Sequence, residues 1–235
     1  MNHQSFQVAD LGGQPYLPVL ELQRALVRAR IAGDLSDDVL LLVEHEPVVT
    51  LGRSTKDTSL PLPRTALEAR GFTVEEVERG GDVTVHAPGQ LVGYPIFDLK
   101  EHRQDLHWYL RQIEESLIGA LGALQITAGR NPGYTGVWAG GRKIASIGVH
   151  VKQWVTLHGF ALNVTTDLSL FDVVVPCGIH GVVMTSVERE LKLPTEERAD
   201  GLWGRSRDAV IVAFGDVFSR TPIMSLDPRL TIPGP

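Results

Sequence analysis

The sequence predicts a single domain of the α/β (α+β) class, with a mixed, largely antiparallel sheet and flanking helices. Strand patterns are grouped in the middle of the chain with helical patterns between the groups, so a strictly alternating parallel fold fits less well. The 235 residues are 43% hydrophobic and 21% charged, as in ordinary globular proteins, and contain no repeat. We therefore expect one domain over residues 1–222, followed by a weakly ordered tail, 223–235, with three prolines.

Three segments have the spacing of amphipathic helices. The third runs from about residue 197 to residue 219 and is rich in Ala, Val and Phe. In the first two, apolar residues recur every three or four positions, at Val19, Leu22, Leu26 and Ala29, and at Leu106, Leu110, Ile113, Leu117, Leu121 and Leu124.

Strand patterns fill the region between the helices. The run "DVLLLVEH" (38–45) is almost continuously apolar, which predicts a strand covered on both faces. "TVEEVERGGDVTVHAPGQLVGYPIFDL" alternates strand-like pieces with Gly and Pro breakers. Residues 136–164 predict an antiparallel meander, because Gly140-Gly141 suits a primed hairpin turn and "WVTLHGFALNV" supplies a further strand.

Composition excludes several classes of function. With 22 Lys plus Arg against 28 Asp plus Glu, the chain lacks the basic excess that general nucleic-acid binding requires. It has no apolar segment of bilayer length and no secretory pattern at its start, so we expect a cytoplasmic protein with no membrane partner. One cysteine forms no intrachain disulfide, and the eight histidines show no metal-site spacing, so we expect neither metal nor cofactor.

The segment "RGGDVTVHAPGQ" (79–90) is the first candidate site. Two glycines after a strand allow positive φ and close approach of the backbone to a ligand, while Arg79 and His86 supply polar groups. The spacing does not match a phosphate-binding loop. The plainer interpretation, a hairpin turn at Gly80-Gly81 and a surface histidine, is about as favourable from the local sequence alone.

Lys143 is the second candidate. If "KIASIGVHV" is a regular strand, Lys143 shares a face with Ala145, Ile147, Val149 and Val151. Such a lysine either extends its ammonium to solvent or is held partly desolvated, where it can act as a base. Lysines at such positions more often extend their ammonium to solvent, so the first alternative is favoured.

Cys177 is the third candidate. Pro176 restricts the preceding residue to an extended conformation, and Gly178 permits a sharp turn, so the thiol would lie at a corner between strand and loop. Lone cysteines are more often buried and inert than catalytic, and the local sequence favours that alternative.

Taken together, "RGGDVTVHAPGQLVGYPIFDL", "GRKIASIGVHV", "WVTLHGFALNV" and "VVVPCGI" resemble the lipoyl(octanoyl) transferase family in order and spacing. The resemblance spans Leu51 to Gly181. Where the family usually has a glycine after the motif histidine, this chain has Ala87. The resemblance implies a domain like the catalytic domains of lipoate and biotin protein ligases. It further implies an acyltransferase that moves octanoyl from octanoyl-acyl carrier protein to a lysine of lipoyl domains, as the first step of protein lipoylation.

The resemblance also implies roles for individual residues. Cys177 becomes the nucleophile that carries the acyl group as a thioester, and Lys143 becomes the group that lowers the pKa of the thiol and transfers protons. Substrate contacts are expected at Arg79, Gly80, Gly81, Asp82, Val83, Thr84, Val85, His86, Ser146, Ile147, Gly148, Gly159, Phe160 and Ala161.

The implied donor is octanoyl-acyl carrier protein, and the implied acceptors are lipoyl domains of 2-oxoacid dehydrogenase acyltransferase subunits and the glycine-cleavage H protein. Because these partners are acidic, we expect a local basic surface at Arg53, Arg130, Arg142 and Lys152. We expect a monomer. Two alternatives stay open: an ATP-dependent lipoate- or biotin-type ligase, and a non-catalytic module that docks carrier proteins.

Overall fold

The structure, a computed structural model, describes residues 4–174, 181–192, 201–227 and 230. The strands are β1 (Ser5–Gln14), β2 (Asp38–His45), β3 (Val48–Leu51), β4 (Thr73–Glu76), β5 (Thr84–His86), β6 (Gln90–Ile96), β7 (Ala128–Gly129), β8 (Val137–Ala139), β9 (Arg142–Lys152), β10 (Val155–Asn163) and β11 (Thr221–Met224). The α-helices are α1 (Tyr16–Ala32), α2 (Arg64–Glu68), α3 (Leu106–Ala123), α4 (Val187–Leu191) and α5 (Leu202–Phe218), and short 3-10 helices span Asp57–Ser59 and Leu168–Val173.

Within the described residues the larger sheet has eight strands in the order β11-β1-β2-β6-β10-β9-β8-β7. Only β1 pairs in parallel, with β2 and β11, and the other pairs of this sheet are antiparallel. A smaller sheet, β4-β3-β5, packs its own apolar cluster. The predicted mixed, largely antiparallel sheet is confirmed.

Strand β2 is covered on both faces, as its apolar run predicts. Leu40 and Leu42 belong to the core formed with α3 and α5. Val39 and Leu41, one position out of phase, belong to the core formed with α1. The strand is therefore buried between two layers of helices, with α1 on one side and α3 and α5 on the other.

The helices follow most of the predicted periodicity, with Val19 and Leu26 of α1 and Ile113, Leu117 and Leu121 of α3 buried, whereas Leu106 at the start of α3 is exposed. Asp105 caps α3 because its carboxylate accepts a hydrogen bond from the backbone N–H of Trp108 at 3.0 Å. Helix α5 begins at Leu202, and residues 197–200 of the predicted third helix lie outside the described residues. No helix in the described ranges is long and apolar enough to cross a membrane.

The predicted boundary at residue 222 falls inside β11. Ile223 and Met224 continue the parallel pairing with β1, opposite Gln7 and Val8. Leu230 is buried in the core under α1.

Asp38, at the start of β2, is the centre of a buried ion network. Its carboxylate lies 2.6 Å from His102 Nε2, 3.3 Å from Arg30 Nη2 and 3.8 Å from Arg220 Nη1. It also accepts the backbone N–H of Asp98 at 2.8 Å. The network joins the C-terminal end of α1, the loop after β6 and the residue that precedes β11. Its cations therefore neutralise a carboxylate that has no access to solvent.

Candidate active site

A cavity of about 220 Å³ lies where the β9–β10 hairpin faces the loop that leads into β5. It brings together the two segments that the sequence singles out, although they are some 60 residues apart along the chain. Of the predicted site residues, the following line it: Arg79, Gly81, Asp82, Val83, Thr84, His86, Lys143, Ser146, Ile147, Gly148, Gly159, Phe160 and Ala161.

Two of the predicted substrate contacts, Gly80 and Val85, do not line the cavity. Because side chains alternate along a strand, Val85 points away from the face of Thr84 and His86 and packs in the core of the smaller sheet. Gly80 instead donates its backbone N–H to the carbonyl of Val149 at 2.8 Å. Its role is to join the glycine-rich loop to β9.

Arg79 is held by the strand beside it. Its Nε and Nη2 donate to Thr50 Oγ1 at 3.1 and 2.9 Å, and Nη2 also donates to the Thr50 carbonyl at 2.6 Å. The guanidinium fits because residue 52 is a glycine: a Cβ there would lie 2.6 Å from Arg79 Nη1. The arginine is thus a fixed part of the cavity wall.

Lys143 reaches the cavity because β9 is irregular at its start. On β8, Trp138 pairs with Lys143 but Val137 pairs with Ala145, so one residue of β9 is extra. Lys143 consequently lines the cavity with Ser146 and Gly148, whereas Ala145 and Val149 pack in the main core. The predicted face, with Lys143 in line with Ala145 and Val149, is wrong, because the bulge breaks the two-residue alternation.

The side chain of Lys143 is 1% exposed, so its ammonium does not extend to bulk solvent. Its Nζ lies 5.3 Å from the centre of the Trp138 ring, within the range of a cation–π contact. Gly136 packs against it so closely that a Cβ there would be 2.9 Å from Lys143 Cε.

A buried carboxylate on α3 holds the backbone at Gly136. Glu114 accepts the N–H of Gly136 at 3.1 Å, and its other oxygen accepts from Arg130 Nε at 2.9 Å. The position of the loop against Lys143 is therefore fixed from the opposite side by an ion pair.

Cys177 lies outside the described residues, but the described chain on either side of it is anchored. After it, the Lys143 backbone accepts from Thr185 N at 2.9 Å and donates to the Val183 carbonyl at 2.8 Å. Before it, Val174 is buried in the same apolar cluster as Met184. Both flanks of the cysteine segment thus pack in one cluster, and the later flank pairs with the strand position of Lys143.

The cavity also has residues that the sequence interpretation missed: Tyr16, Tyr94, Gly133, Tyr134, Thr135 and His158. Two of them offered a local signal, since His158 directly precedes the motif glycine Gly159 and Tyr94 lies within the quoted segment "LVGYPIFDL". Tyr16 had none. It arrives from α1 through tertiary packing and stacks on His86, with 5.8 Å between ring centres.

Two buried histidines near the cavity are held neutral. His45 donates from Nδ1 to the Gln14 carbonyl at 2.8 Å, so its Nε2 accepts from the Tyr94 hydroxyl, also at 2.8 Å. Burial lowers the pKa of His45 to about 4 and that of His86 to about 3. Near neutral pH both rings are therefore uncharged.

A chain of amide hydrogen bonds connects His86 with the segment after the cysteine. His86 Nδ1 lies 2.8 Å from Gln90 Oε1, Gln90 Nε2 donates to Asn163 Oδ1 at 2.9 Å, and Asn163 Nδ2 donates to the Thr185 carbonyl at 3.0 Å. The chain joins β5, β6, β10 and the segment that pairs with Lys143. Buried amides that are satisfied in this way specify one arrangement of these elements.

The predicted basic surface is smaller than expected. Arg130 is paired with Glu114 and Glu115, and Arg142 with Glu190, so these two arginines are largely neutralised. Arg53 and Lys152 are exposed. Burial lowers the pKa of His150, and the charges of Arg53 and Lys152 lower it further. In the part of the chain that the structure describes, no group of three His, Cys, Asp or Glu side chains could hold a metal ion.

Comparison with known families decides the relationship. The sequence model of the lipoyl protein ligase A/B catalytic domain matches residues 15–202, which include both halves of the cavity. The chain belongs to this family. Three family relatives are each named octanoyltransferase: from Nostoc sp. (45% identical, covering 88% of this chain and 89% of that protein), Gloeobacter violaceus (52%, covering 74% and 76%) and Myxococcus xanthus (44%, covering 96% and 63%).

Solved structures of lipoate-protein ligases share the fold. A lipoate-protein ligase A bound with ATP superposes with a TM-score of 0.72, at 17% identity, over 97% of this chain and 91% of that one. A bi-partite lipoate protein ligase from Thermoplasma acidophilum gives a TM-score of 0.73, at 15% identity, over 97% and 89%. At these identities the likeness establishes the lipoate ligase-like fold.

Proposed function

We propose that this protein is an acyltransferase that moves an octanoyl group from octanoyl-acyl carrier protein to a lysine of a lipoyl domain, through a thioester on Cys177. The observation that carries the proposal is the place of Lys143. It is a buried lysine on a cavity wall, and its backbone pairs with Val183 and Thr185, a few residues after the cysteine. The name that the relatives share, octanoyltransferase, supports the same chemistry.

The proposed first step forms the acyl-enzyme. The thiolate of Cys177 attacks the thioester carbonyl of the donor, the C–S bond to the carrier's pantetheine breaks, and that thiol leaves with a proton. Cys177 follows the buried Val174 by three positions in the sequence, and we propose that its thiol acts beside Lys143. Lys143 takes the thiol proton and returns one to the leaving thiolate.

The second step makes the amide. The ε-amine of the acceptor lysine attacks the Cys177 thioester, loses a proton to Lys143 and releases the thiol of Cys177. Because an amide is more stable than a thioester, the donor supplies the driving force and the reaction requires no nucleotide. Acceptors would be lipoyl domains of 2-oxoacid dehydrogenases and the glycine-cleavage H protein, and we expect the reaction to occur in the cytoplasm with a monomeric enzyme.

The size of the cavity supports an acyl substrate. Its volume of about 220 Å³ is smaller than the roughly 300–1,000 Å³ of pockets that hold drug-sized ligands, so the cavity suits a small group such as an acyl chain. Val83, Ile147, Phe160 and Ala161 are among the residues that line it, which suits an alkyl chain.

The test is the intact mass of the protein after incubation with octanoyl-acyl carrier protein in the absence of ATP. We expect one added octanoyl group, absent in Cys177→Ala, and transfer of that group when an apo lipoyl domain is added. An ATP-dependent ligase would give no adduct and would tolerate Cys177→Ser. A docking module would bind the carrier protein without acylation, and either result would contradict the proposal.

A further inference from the structure

Strand β9 has a second backbone partner, besides β8, at Lys143. The pairing of β10 with β9 ends at Ala145, and residues 183–185 take the place of β10 nearer the start of β9. The N–H of Lys143 donates to the Val183 carbonyl at 2.8 Å, and the Lys143 carbonyl accepts from the N–H of Thr185 at 2.9 Å. Both backbone groups of Lys143 are therefore bonded to one short segment.

This pairing accompanies the bulge at the start of β9. Without the extra residue in β9, Lys143 would share a face with Ala145 and point into the main core. A bulge interrupts the regular hydrogen bonds of a strand, so the backbone groups near it need other partners. Residues 183–185 supply them at Lys143. The segment therefore stabilises the backbone conformation in which Lys143 faces the cavity.

Three side chains hold this segment against β9. Thr185 is inaccessible to solvent, and its hydroxyl donates to the carboxylate of Glu190. The same carboxylate accepts from Arg142, the residue before Lys143: Arg142 Nε and Nη2 lie 3.1 and 2.8 Å from Glu190 Oε1, and Nη2 lies 2.9 Å from Oε2. Glu190 thus joins the two chains on either side of the backbone pairing. We call Arg142, Thr185 and Glu190 the Glu190 clamp.

Helix α4 brings Glu190 back towards Thr185. The first residue of the helix, Val187, is buried in the main core, and the N–H of Glu190 donates to the Ser186 carbonyl at 3.0 Å. The ion pair itself reaches the surface, since the side chains of Arg142 and Glu190 are 38% and 13% exposed. Ion pairs of this kind contribute little to the free energy of unfolding. Loss of this pair should therefore displace the segment without unfolding the protein.

We propose that Glu190 is a positioning residue: through Arg142 and Thr185 it keeps the backbone of Lys143 in the bulged form that directs the side chain into the cavity. Glu190 does not line the cavity and acts only through these neighbours. The inference rests on the proposed function, since it takes Lys143 to exchange protons with Cys177. Such a step depends on position, because a displacement of about 1 Å can slow a reaction by about 100-fold.

The experiment compares Glu190→Ala with the unaltered protein in two measurements. The first is the single-turnover rate of octanoyl-enzyme formation from octanoyl-pantetheine. We expect the maximal rate to fall by about tenfold or more, while the donor concentration that gives half of it changes by less than about twofold. This split is expected because the clamp holds the lysine and leaves the acyl-binding wall in place.

The second measurement is the pH dependence of alkylation by iodoacetamide. Cys177 is the only cysteine of the chain, so alkylation reports on this thiol alone and needs no acyl donor. In the unaltered protein we expect the midpoint of the pH profile to lie below about 8.5, the value of an ordinary thiol, because a nearby ammonium favours the thiolate. In Glu190→Ala we expect the midpoint to move up towards about 8.5, because Lys143 is displaced.

Three further variants separate position from stability. Glu190→Gln keeps an oxygen that accepts from Arg142 and Thr185, so it should recover most of the acylation rate. Thr185→Val removes only the hydroxyl of the clamp, and it should change the rate and the midpoint in the same directions if Glu190→Ala folds poorly. Asp10→Ala is the matched control, because it removes a similarly exposed ion pair, with Arg207, between β1 and α5. It should lower the melting temperature by no more than about 2–4 °C and keep both the rate and the midpoint.

An unaltered acylation rate and alkylation midpoint in both Glu190→Ala and Thr185→Val would overturn the inference and leave the proposed function standing. If the unaltered protein forms no octanoyl-enzyme, the proposed function fails, and the alkylation profiles still test the clamp. A higher midpoint in Glu190→Ala would then support the positioning of Lys143 by Glu190, and equal midpoints would overturn it.

Discussion

Lys143 and Asp38 are both almost inaccessible to solvent, at 1% and 0% exposed, yet their surroundings differ. Asp38 lies among His102, Arg30 and Arg220 and does not line the cavity that Lys143 lines. Lys143 lies on the wall of the cavity, next to the ring of Trp138. Burial alone therefore does not indicate function. What distinguishes the lysine is the space that its side chain faces.

The largest effect on stability should come from Asp38→Ala. It removes the buried carboxylate that Arg30 and Arg220 share and the acceptor of the Asp98 N–H, although both arginines keep Glu101 as a partner. We therefore expect a loss of about 3–5 kcal/mol in the free energy of unfolding. Urea denaturation measures it. Asp10→Ala removes a partly exposed ion pair with Arg207 and should cost less than about 1 kcal/mol. The folded fraction of either variant should be acylated at the unaltered rate. A loss of acylation in Asp38→Ala would contradict a purely structural role for Asp38.

A smaller effect, but on chemistry, should follow from Gly136→Ala. The added methyl group would press on Lys143 Cε and displace the ammonium, so we expect octanoyl-enzyme formation to slow by about 10- to 100-fold. Gly141→Ala is the control, since Gly141 also has positive φ, at 78°, but a Cβ there meets nothing within 4 Å. Its stability should fall because of backbone strain while its acylation rate is kept. Equal acylation rates in the two variants would show that Gly136 does not position the lysine.

A third prediction concerns pH. His45 and His86 have pKa values lowered to about 4 and about 3, against an ordinary value of 6.5, because burial disfavours their charged forms. The unfolded chain therefore binds protons that the folded protein does not, and stability should fall as the pH falls from about 6.5 towards 4. Unfolding by urea at several pH values measures this slope. His45→Gln, which has no proton to gain, should flatten it, and an identical slope in that variant would contradict the burial argument.

The smallest effect should be that of salt on encounter with the carrier protein. Arg53 and Lys152 are the exposed cations left from the predicted basic surface. Raising the ionic strength should increase the KM for octanoyl-acyl carrier protein several-fold and leave that for a small octanoyl thioester unchanged, because screening acts on charges between the proteins. The double variant Arg53→Ser, Lys152→Ser should lose this dependence. An equal effect of salt on the KM values of the two donors would contradict this prediction.

Much of the fold could be predicted because its signals are local. Neighbouring residues alone predict the apolar strand β2 and the spacing of α1 and α3. They also predict the turn at Gly140-Gly141, where both glycines have positive φ. The motif segments likewise predicted most of the cavity wall.

The rest depends on contacts between distant segments. The bulge that turns Lys143 into the cavity arises from pairing with β8, and period-two alternation carries no sign of it. Tyr16 reaches the cavity from α1, and Asp38 gathers its partners from three parts of the chain. No pattern of neighbouring residues in the sequence predicts these long-range contacts.

The central claim is that the buried Lys143 performs chemistry, and the rate of octanoyl-enzyme formation in a single turnover tests it most directly. For Lys143→Ala, and for Lys143→Met, which keeps the volume without the charge, we predict a rate about 10²- to 10⁴-fold lower at an unchanged melting temperature. Acylation of Cys177 at the original rate in either folded variant would contradict the account.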